Sequence, residues 1–235
     1  MNNWTAPQRP ALYAEQALVT EILNGAYPPG SKLPAERELA AQLGVTRPTL
    51  REALRRLESD GWLCVQQGKP TQVNDFWREG GLNLLSSLVR NSQELPPNFI
   101  PDLLEVRLAM APAYTRAAVA HSPSQVAAFL EQSTRLDDLP LSFASFDWRL
   151  HKTLALYSHN PIYSLILNGF TGFYEQMGCL YFRYPPAQAC SRAFYAALLE
   201  TARAEDPQKA ETITRTVMQE SIVLWQQASQ AGGAG

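Results

Sequence analysis

The apolar positions of this chain change rhythm along its length, and the changes divide it. Leu12, Ala14, Leu18, Val19, Ile22 and Leu23 recur at three and four, the spacing of one buried stripe on a first helix. Gly25 stops that helix and Pro28-Pro-Gly30 forces a turn, read as structural punctuation with a ligand loop as the alternative. Leu39 and Leu43 fall four apart on a second helix, and Leu50, Ala53, Leu54 and Leu57 form the stripe of a third. Between those two, Leu43-Gly-Val-Thr46 has the length and composition of a helix-turn-helix turn, with glycine relieving the left-handed position. Thr46 is placed to cap the third helix, and Pro48 sits in its first turn, where a missing N–H does no harm. After Gly61 the period drops to two. Residues 62–65 alternate like a strand, 66–69 read as a tight turn, and 71–73 return. A helix-turn-helix followed at once by a hairpin is a winged helix.

Beyond residue 82 every long segment has a helical period, with spans near 82–90, 100–120, 124–136, 141–158, 162–184, 187–204 and 207–229. Ser122-Pro123 and Asp206-Pro207 are helix-start signals, Asn160-Pro161 and Pro185-Pro186 interrupt the pattern, and Pro112 predicts a kink. The fold class is therefore mainly α: an N-terminal winged helix-turn-helix over residues 1–77, then an all-α helical-bundle effector domain over 78–235. The linker is placed at about 74–81, where Gly80-Gly81 follows Phe76 and Trp77. Two aromatics are costly to leave wet, so they pack either between the domains or as local core. Residues 1 to about 10 read as a loose arm, and Ala231 to Gly235 as a mobile tail.

Composition narrows the chemistry. The net charge is −2, so a nucleic-acid partner has to be argued from local charge. That charge is present: residues 47–56 hold four arginines (Arg47, Arg51, Arg55, Arg56) against Glu52 alone, and Arg47, Arg51 and Arg55 recur every four on one helical face. A solvated basic face is the plain reading of such a row; the hairpin that follows it favours DNA, with Gly68-Lys69 reaching a phosphate or the minor groove. Three cysteines without Cys-x-x-Cys spacing argue against a disulfide framework or a zinc ribbon. The start lacks a basic n-region with an apolar core and no apolar run approaches ~18 residues, so a cytoplasmic protein with no membrane span is expected. Cys179, Cys190 and Ser221 have no histidine in a plausible motif context, so no catalytic residue is assigned and no enzyme is expected.

In the second domain, Gly169, Gly172 and Gly178 fall inside one predicted helix, each costing roughly 1 kcal/mol against alanine unless a neighbouring helix or a ligand approaches closely. Phe170, Phe173, Tyr174, Met177, Leu180 and Tyr181 surround them as an aromatic and thioether face, which serves equally as core or as the wall of a pocket. Asp147 and His151, four apart, share a helical face and read as a polar pair within the core, with two metal ligands as the alternative.

Pro28-Pro-Gly30, Leu33-Pro-Ala-Glu-Arg-Glu-Leu39, Gly44-Val-Thr-Arg47, Leu50-Arg-Glu52 and Asp60-Gly-Trp62 together resemble the DNA-binding domain of the GntR family. Gln67-Gly-Lys-Pro-Thr71, Val73-Asn74, Phe76-Trp77, Asn160-Pro-Ile-Tyr163 and Leu165-Ile-Leu-Asn-Gly169 resemble its fatty-acid-responsive branch, the FadR type. The resemblance implies a homodimeric repressor and activator of fatty acid metabolism that binds a palindromic operator in double-stranded DNA and is relieved by long-chain fatty acyl-CoA, without a cofactor. It implies DNA contacts at Arg37, Thr46, Arg47, Thr49, Arg51, Gln67, Gly68 and Lys69, and ligand contacts at Arg107, Tyr174, Tyr181, Glu220, Ser221 and Trp225. The chain departs from the branch at Pro48 and Gln67, where a threonine and a histidine are usual, and at Val217 and Met218, where a tyrosine and a glycine are usual. It also has no Lys or Arg after Arg215, where the branch places a basic residue for the CoA phosphates; Arg107, Arg149, Lys152 and Arg183 are the possible substitutes. The alternative is a GntR-type sensor of a small carboxylate, with or without a metal held by the Asp-x-x-x-His that related effector domains complete with two later histidines. Near those later positions this chain has Tyr195 and Val217, so no metal site is assigned.

Overall fold

The computed structural model describes residues 10–66, 68–90, 95–96 and 98–232, side chains of residues 90 and 230–232 excepted. The expected arm at 1–9, Gln67 and the tail residues 233–235 lie outside the described residues. Two compact units are present, 1–96 and 97–235.

In the first unit, α1 (Pro10–Leu23) buries Ala11, Ala14, Leu18, Val19 and Ile22, so the stripe is turned slightly from Leu12 and Leu23. Helices α2 (Glu36–Gln42) and α3 (Arg47–Asp60) are joined through Gly44, whose φ of 65° is the left-handed value the turn requires. Leu39 and Ala40 are buried from α2, while Leu43 is only partly covered. Thr46 caps α3: its side chain accepts from the Thr49 amide at 3.3 Å, and Gly61 ends the helix at φ 95°. Strands β1 (Leu63–Cys64) and β2 (Gln72–Val73) pair antiparallel, Leu63 opposite Val73. The Pro28-Pro-Gly30 turn does more than punctuate. It leads into a third edge, where Lys32 bridges Gln72, Gly30 N–H donates to Val73 and Leu33 N–H donates to Thr71.

The unit continues past the expected boundary at 77 because α4 (Phe76–Glu79) and α5 (Leu82–Arg90) pack on the winged helix. Trp62 is fully buried; its indole N–H donates to Ser87 at 3.0 Å, and its ring lies 4.9 Å from Phe76. Phe76 is thus local core, whereas Trp77 is 54% exposed, against the expectation that both would be packed away.

The second unit is all helical among its described residues: α6 (Phe99–His121), α7 (Pro123–Leu130) with a 3-10 turn at Glu131–Arg135, α8 (Pro140–Tyr157), α9 (Pro161–Asn168), α10 (Phe173–Tyr181), α11 (Pro185–Arg203) and α12 (Pro207–Gly232). Helix α12 packs along α6 and α11, and α8 packs against α10 and α6. The span expected at 162–184 is two helices. Gly172 takes φ 85°, which a continuous helix excludes, so the chain turns between Asn168 and Phe173. Gly178 meets the expectation of close approach: a Cβ there would stand 3.0 Å from that of Ala144 on α8. Val217 and Met218 are buried core residues of α12.

Candidate functional site

The charged face of α3 is solvent-exposed because Leu50, Ala53, Leu54 and Leu57 take the opposite face into the core. Arg47, Arg51 and Arg55 lie on it, with Arg37 exposed on α2. Arg51 donates through Nε to Glu36 at 2.7 Å, yet its side chain remains 61% exposed. A surface pair of this kind contributes little and yields readily to a phosphate. Arg56, outside the row, is held by Glu52 at 2.6 Å and lies 3.8 Å from Glu15 of α1. At the start of α3 the hydroxyls of Thr46 and Thr49 bond each other at 2.8 Å, beside helix-terminal amides suited to an anion. Gly68, at φ 75°, and Lys69 form the exposed wing tip. Helix, cap and wing are the parts from which a winged helix builds phosphate and base contacts.

The second unit contains a cavity of about 100 Å³ between α6, α8, α9, α10 and α12. Its wall is apolar, with Leu103, Met110, Phe170, Phe173 and Met177 among the residues that form it. Arg107, Tyr174, Tyr181, Ser221 and Trp225 all border it, so five of the six expected ligand residues meet there. Glu220 does not: it is exposed and accepts from Cys190 Sγ at 3.1 Å. Of the aromatic and thioether face, Leu180 alone points away, 44% exposed.

The polar end of the cavity is a buried network. Asp147 Oδ2 accepts from Arg107 at 3.0 Å and from the Tyr174 hydroxyl at 2.6 Å, and its Oδ1 accepts from Tyr195 at 2.8 Å. The same guanidinium nitrogen donates to His151 Nε2 at 2.6 Å. A guanidinium only donates, so Nε2 is an acceptor, the imidazole proton sits on Nδ1, and it faces the Tyr114 hydroxyl at 2.7 Å. Burial, with the adjacent Arg107 charge, lowers the His151 pKa to about 3, so the ring is neutral. Burial opposes the charge on Asp147, but Arg107 and the hydroxyl donors hold its carboxyl below the usual range. Tyr174 is pushed well above the usual phenol range, first by burial, and stays a donor. Arg107 Nε has no acceptor among the described residues.

The expected Asp147–His151 pair is therefore present, but the point on which it converges is taken by the Arg107 guanidinium. Tyr195, near a later-ligand position, donates to Asp147 instead. The described residues contain no group of three or more His, Cys, Asp or Glu side chains placed to hold a metal ion. Spacing along the chain could not find this arrangement, since Arg107, Asp147 and Tyr195 come from three helices.

A model of the GntR family of bacterial regulatory proteins matches residues 10–73, and one of the FadR C-terminal domain matches residues 74–231. The chain belongs to the FadR type of the GntR family. A fatty acid metabolism regulator protein of Edwardsiella ictaluri is 44% identical over 218 residues, covering 93% of this chain and 91% of its own. One from Pectobacterium atrosepticum is 43% identical over 225 residues, covering 95% and 94%. In fold, the chain resembles Lar, which controls expression of the Listeria monocytogenes agr system, with a TM-score of 0.59 at 16% identity over 96% of this chain and 99% of that one. This FadR-type chain is accordingly a DNA-binding transcription regulator rather than an enzyme. No helix among its described residues is long and apolar enough to cross a membrane.

Proposed function

We propose that this chain regulates genes of fatty acid metabolism as a homodimer, binding a palindromic operator through α2, α3 and the wing, and releasing it when long-chain fatty acyl-CoA enters the cavity of the second unit. The observation that carries the ligand half is an apolar cavity ending on a buried guanidinium. The wall suits an alkyl chain, and Arg107 Nε supplies a donor for the acyl carbonyl. A dozen methylenes buried at about 0.8 kcal/mol each amount to roughly 10 kcal/mol gross, above the ~8 kcal/mol of a micromolar complex. Pockets for ligands of that size measure roughly 300–1,000 Å³, so the chain enters by displacing the wall, for which the turn at Gly172 is the natural joint. With the Asp147–His151 position filled by Arg107, the metal-assisted carboxylate reading has no observation in its favour.

The test is a fluorescence-anisotropy titration at fixed salt, using operator duplex selected by the protein from random sequences. Long-chain acyl-CoA is expected to weaken the complex at least 10-fold. Arg47→Ala should abolish discrimination between the selected and a scrambled duplex. Lys69→Ala should lower the salt slope by about 0.9, the value of one phosphate contact. Unchanged affinity at saturating acyl-CoA refutes the effector assignment; unchanged discrimination in Arg47→Ala refutes the DNA-reading role of α3.

A further inference from the structure

This inference rests on the acyl-CoA reading and concerns the other end of the ligand. A coenzyme A thioester carries several phosphates, which need a cation near the cavity entrance. Helix α12, which brings Ser221 and Trp225 to the cavity, has no Lys or Arg after Arg215.

The cations of the second unit differ in how they are already engaged. Arg107 is held by Asp147 and His151. Arg116 and Arg215 share Glu211, at 3.3 and 3.0 Å. Arg192 is held by Asp138, and Arg203 by Glu131 and Glu200. Arg149 donates to Gln132 and lies over the Phe129 ring. Arg135, Lys152, Arg183 and Lys209 make no ion pair in the structure among the described residues.

Position separates those four. Lys209 precedes Ser221 on α12 by about 18 Å of helix axis. Arg135 lies on the 3-10 turn after α7, which contributes nothing to the cavity. Lys152 has its ammonium 5.8 Å from the Trp148 ring, and Trp148 is a buried part of the wall. Arg183 is exposed and directly follows Tyr181 and Phe182, both cavity residues. The next residue, Tyr184, donates its hydroxyl to Gln227 Oε1 at 3.4 Å, which ties this segment to α12 just beyond Trp225. Residues 181–184 thus run from the cavity wall to the stretch of α12 that lacks a charge of its own.

We propose that Arg183 is the phosphate-binding residue of this chain, supplying from the turn after α10 the positive charge that the C-terminal half of α12 does not carry. A guanidinium suits this role, since its planar fork can engage two phosphate oxygens at once.

Calorimetry with lauroyl-CoA and with lauroyl-pantetheine, which keeps the thioester and lacks the nucleotide, separates the two ends of the ligand. Arg183→Ala is expected to bind lauroyl-CoA about 10-fold more weakly and lauroyl-pantetheine as the wild type does. Arg183→Lys, which keeps the charge and loses the fork, should recover only part of the loss, and Lys152→Ala should leave both affinities in place. The proposal is overturned if Arg183→Ala keeps wild-type affinity for lauroyl-CoA, if it loses both thioesters equally, or if Lys152→Ala takes the loss instead. Wild-type protein that binds neither thioester refutes the acyl-CoA reading itself. Wild-type protein that binds both equally leaves that reading in place and removes Arg183 from it.

Discussion

A neutral histidine beside a buried guanidinium makes stability depend on pH in a defined direction. His151 has a folded pKa of about 3, below the ordinary 6.5, so the unfolded chain takes up its proton first. Its contribution is whole above about pH 6.5 and declines as pH falls toward 3, by roughly 2 kcal/mol between pH 7 and pH 5. Asp147 acts in a separate window: its lowered carboxyl contributes above the ordinary 3.8 and is lost only below it. His151→Gln offers an acceptor to Arg107 and a donor to Tyr114 without a titrating ring. Urea unfolding from pH 7 to pH 4.5 should show a flatter stability curve for this variant than for the wild type. An equal slope in both proteins would remove His151 as the source. By contrast, Asp147→Asn takes away the countercharge of a buried arginine, which typically costs about 3–5 kcal/mol.

Among the elements, the contact between α8 and α10 sets how closely the cavity wall can close. Gly178 admits Ala144, and a methyl added there would stand 3.0 Å from the Ala144 Cβ and 3.4 Å from its Cα. Gly178→Ala should therefore destabilise the protein by about 1–3 kcal/mol through overpacking, and Ala144→Gly added to it should return part of that loss. Denaturant midpoints of the two single variants and the double variant check this, and strictly additive changes would show that the contact is slack. The sequence announced the closeness of Gly178 but not the break just before it. Apolar spacing of three and four persists from Ile162 to Tyr184, while the turn depends on the single dihedral of Gly172. Helix α3 was more legible because its determinants are local: Thr46 caps, Pro48 starts, Gly44 and Gly61 take left-handed values, and four apolar residues define the buried side. The Arg107–Asp147–Tyr195 network lies at the opposite extreme. Its members stand 40 and 48 residues apart, and only the Asp147–His151 step follows a helical spacing. The family models divide the chain at 73/74, close to the boundary the sequence suggests, while the compact unit runs on to 96 because the Trp62–Ser87 bond joins α5 to the winged helix across 25 residues.

On the proposed reading, sensing and DNA reading belong to separate compact units of the molecule, so regulation amounts to a coupling free energy between two binding equilibria. Net charge does not supply it: at −2 the chain as a whole does not attract DNA, and the proposed DNA contacts draw on the local charge of the row on α3 and the wing tip. On the proposed reading, acyl-CoA favours a state of the dimer that binds operator poorly. If acyl-CoA weakens operator binding by a factor α, saturating operator must weaken acyl-CoA binding by the same α, with a factor of ten corresponding to about 1.4 kcal/mol. Four dissociation constants measured in one buffer close this cycle: operator with and without lauroyl-CoA, and lauroyl-CoA with and without operator. Equal ratios are expected. A fall in operator affinity with no reciprocal change in lauroyl-CoA affinity would mean that the thioester displaces DNA by acting on something other than the folded dimer, as a detergent would. The cavity would then have no part in regulation, however well it fits an acyl chain.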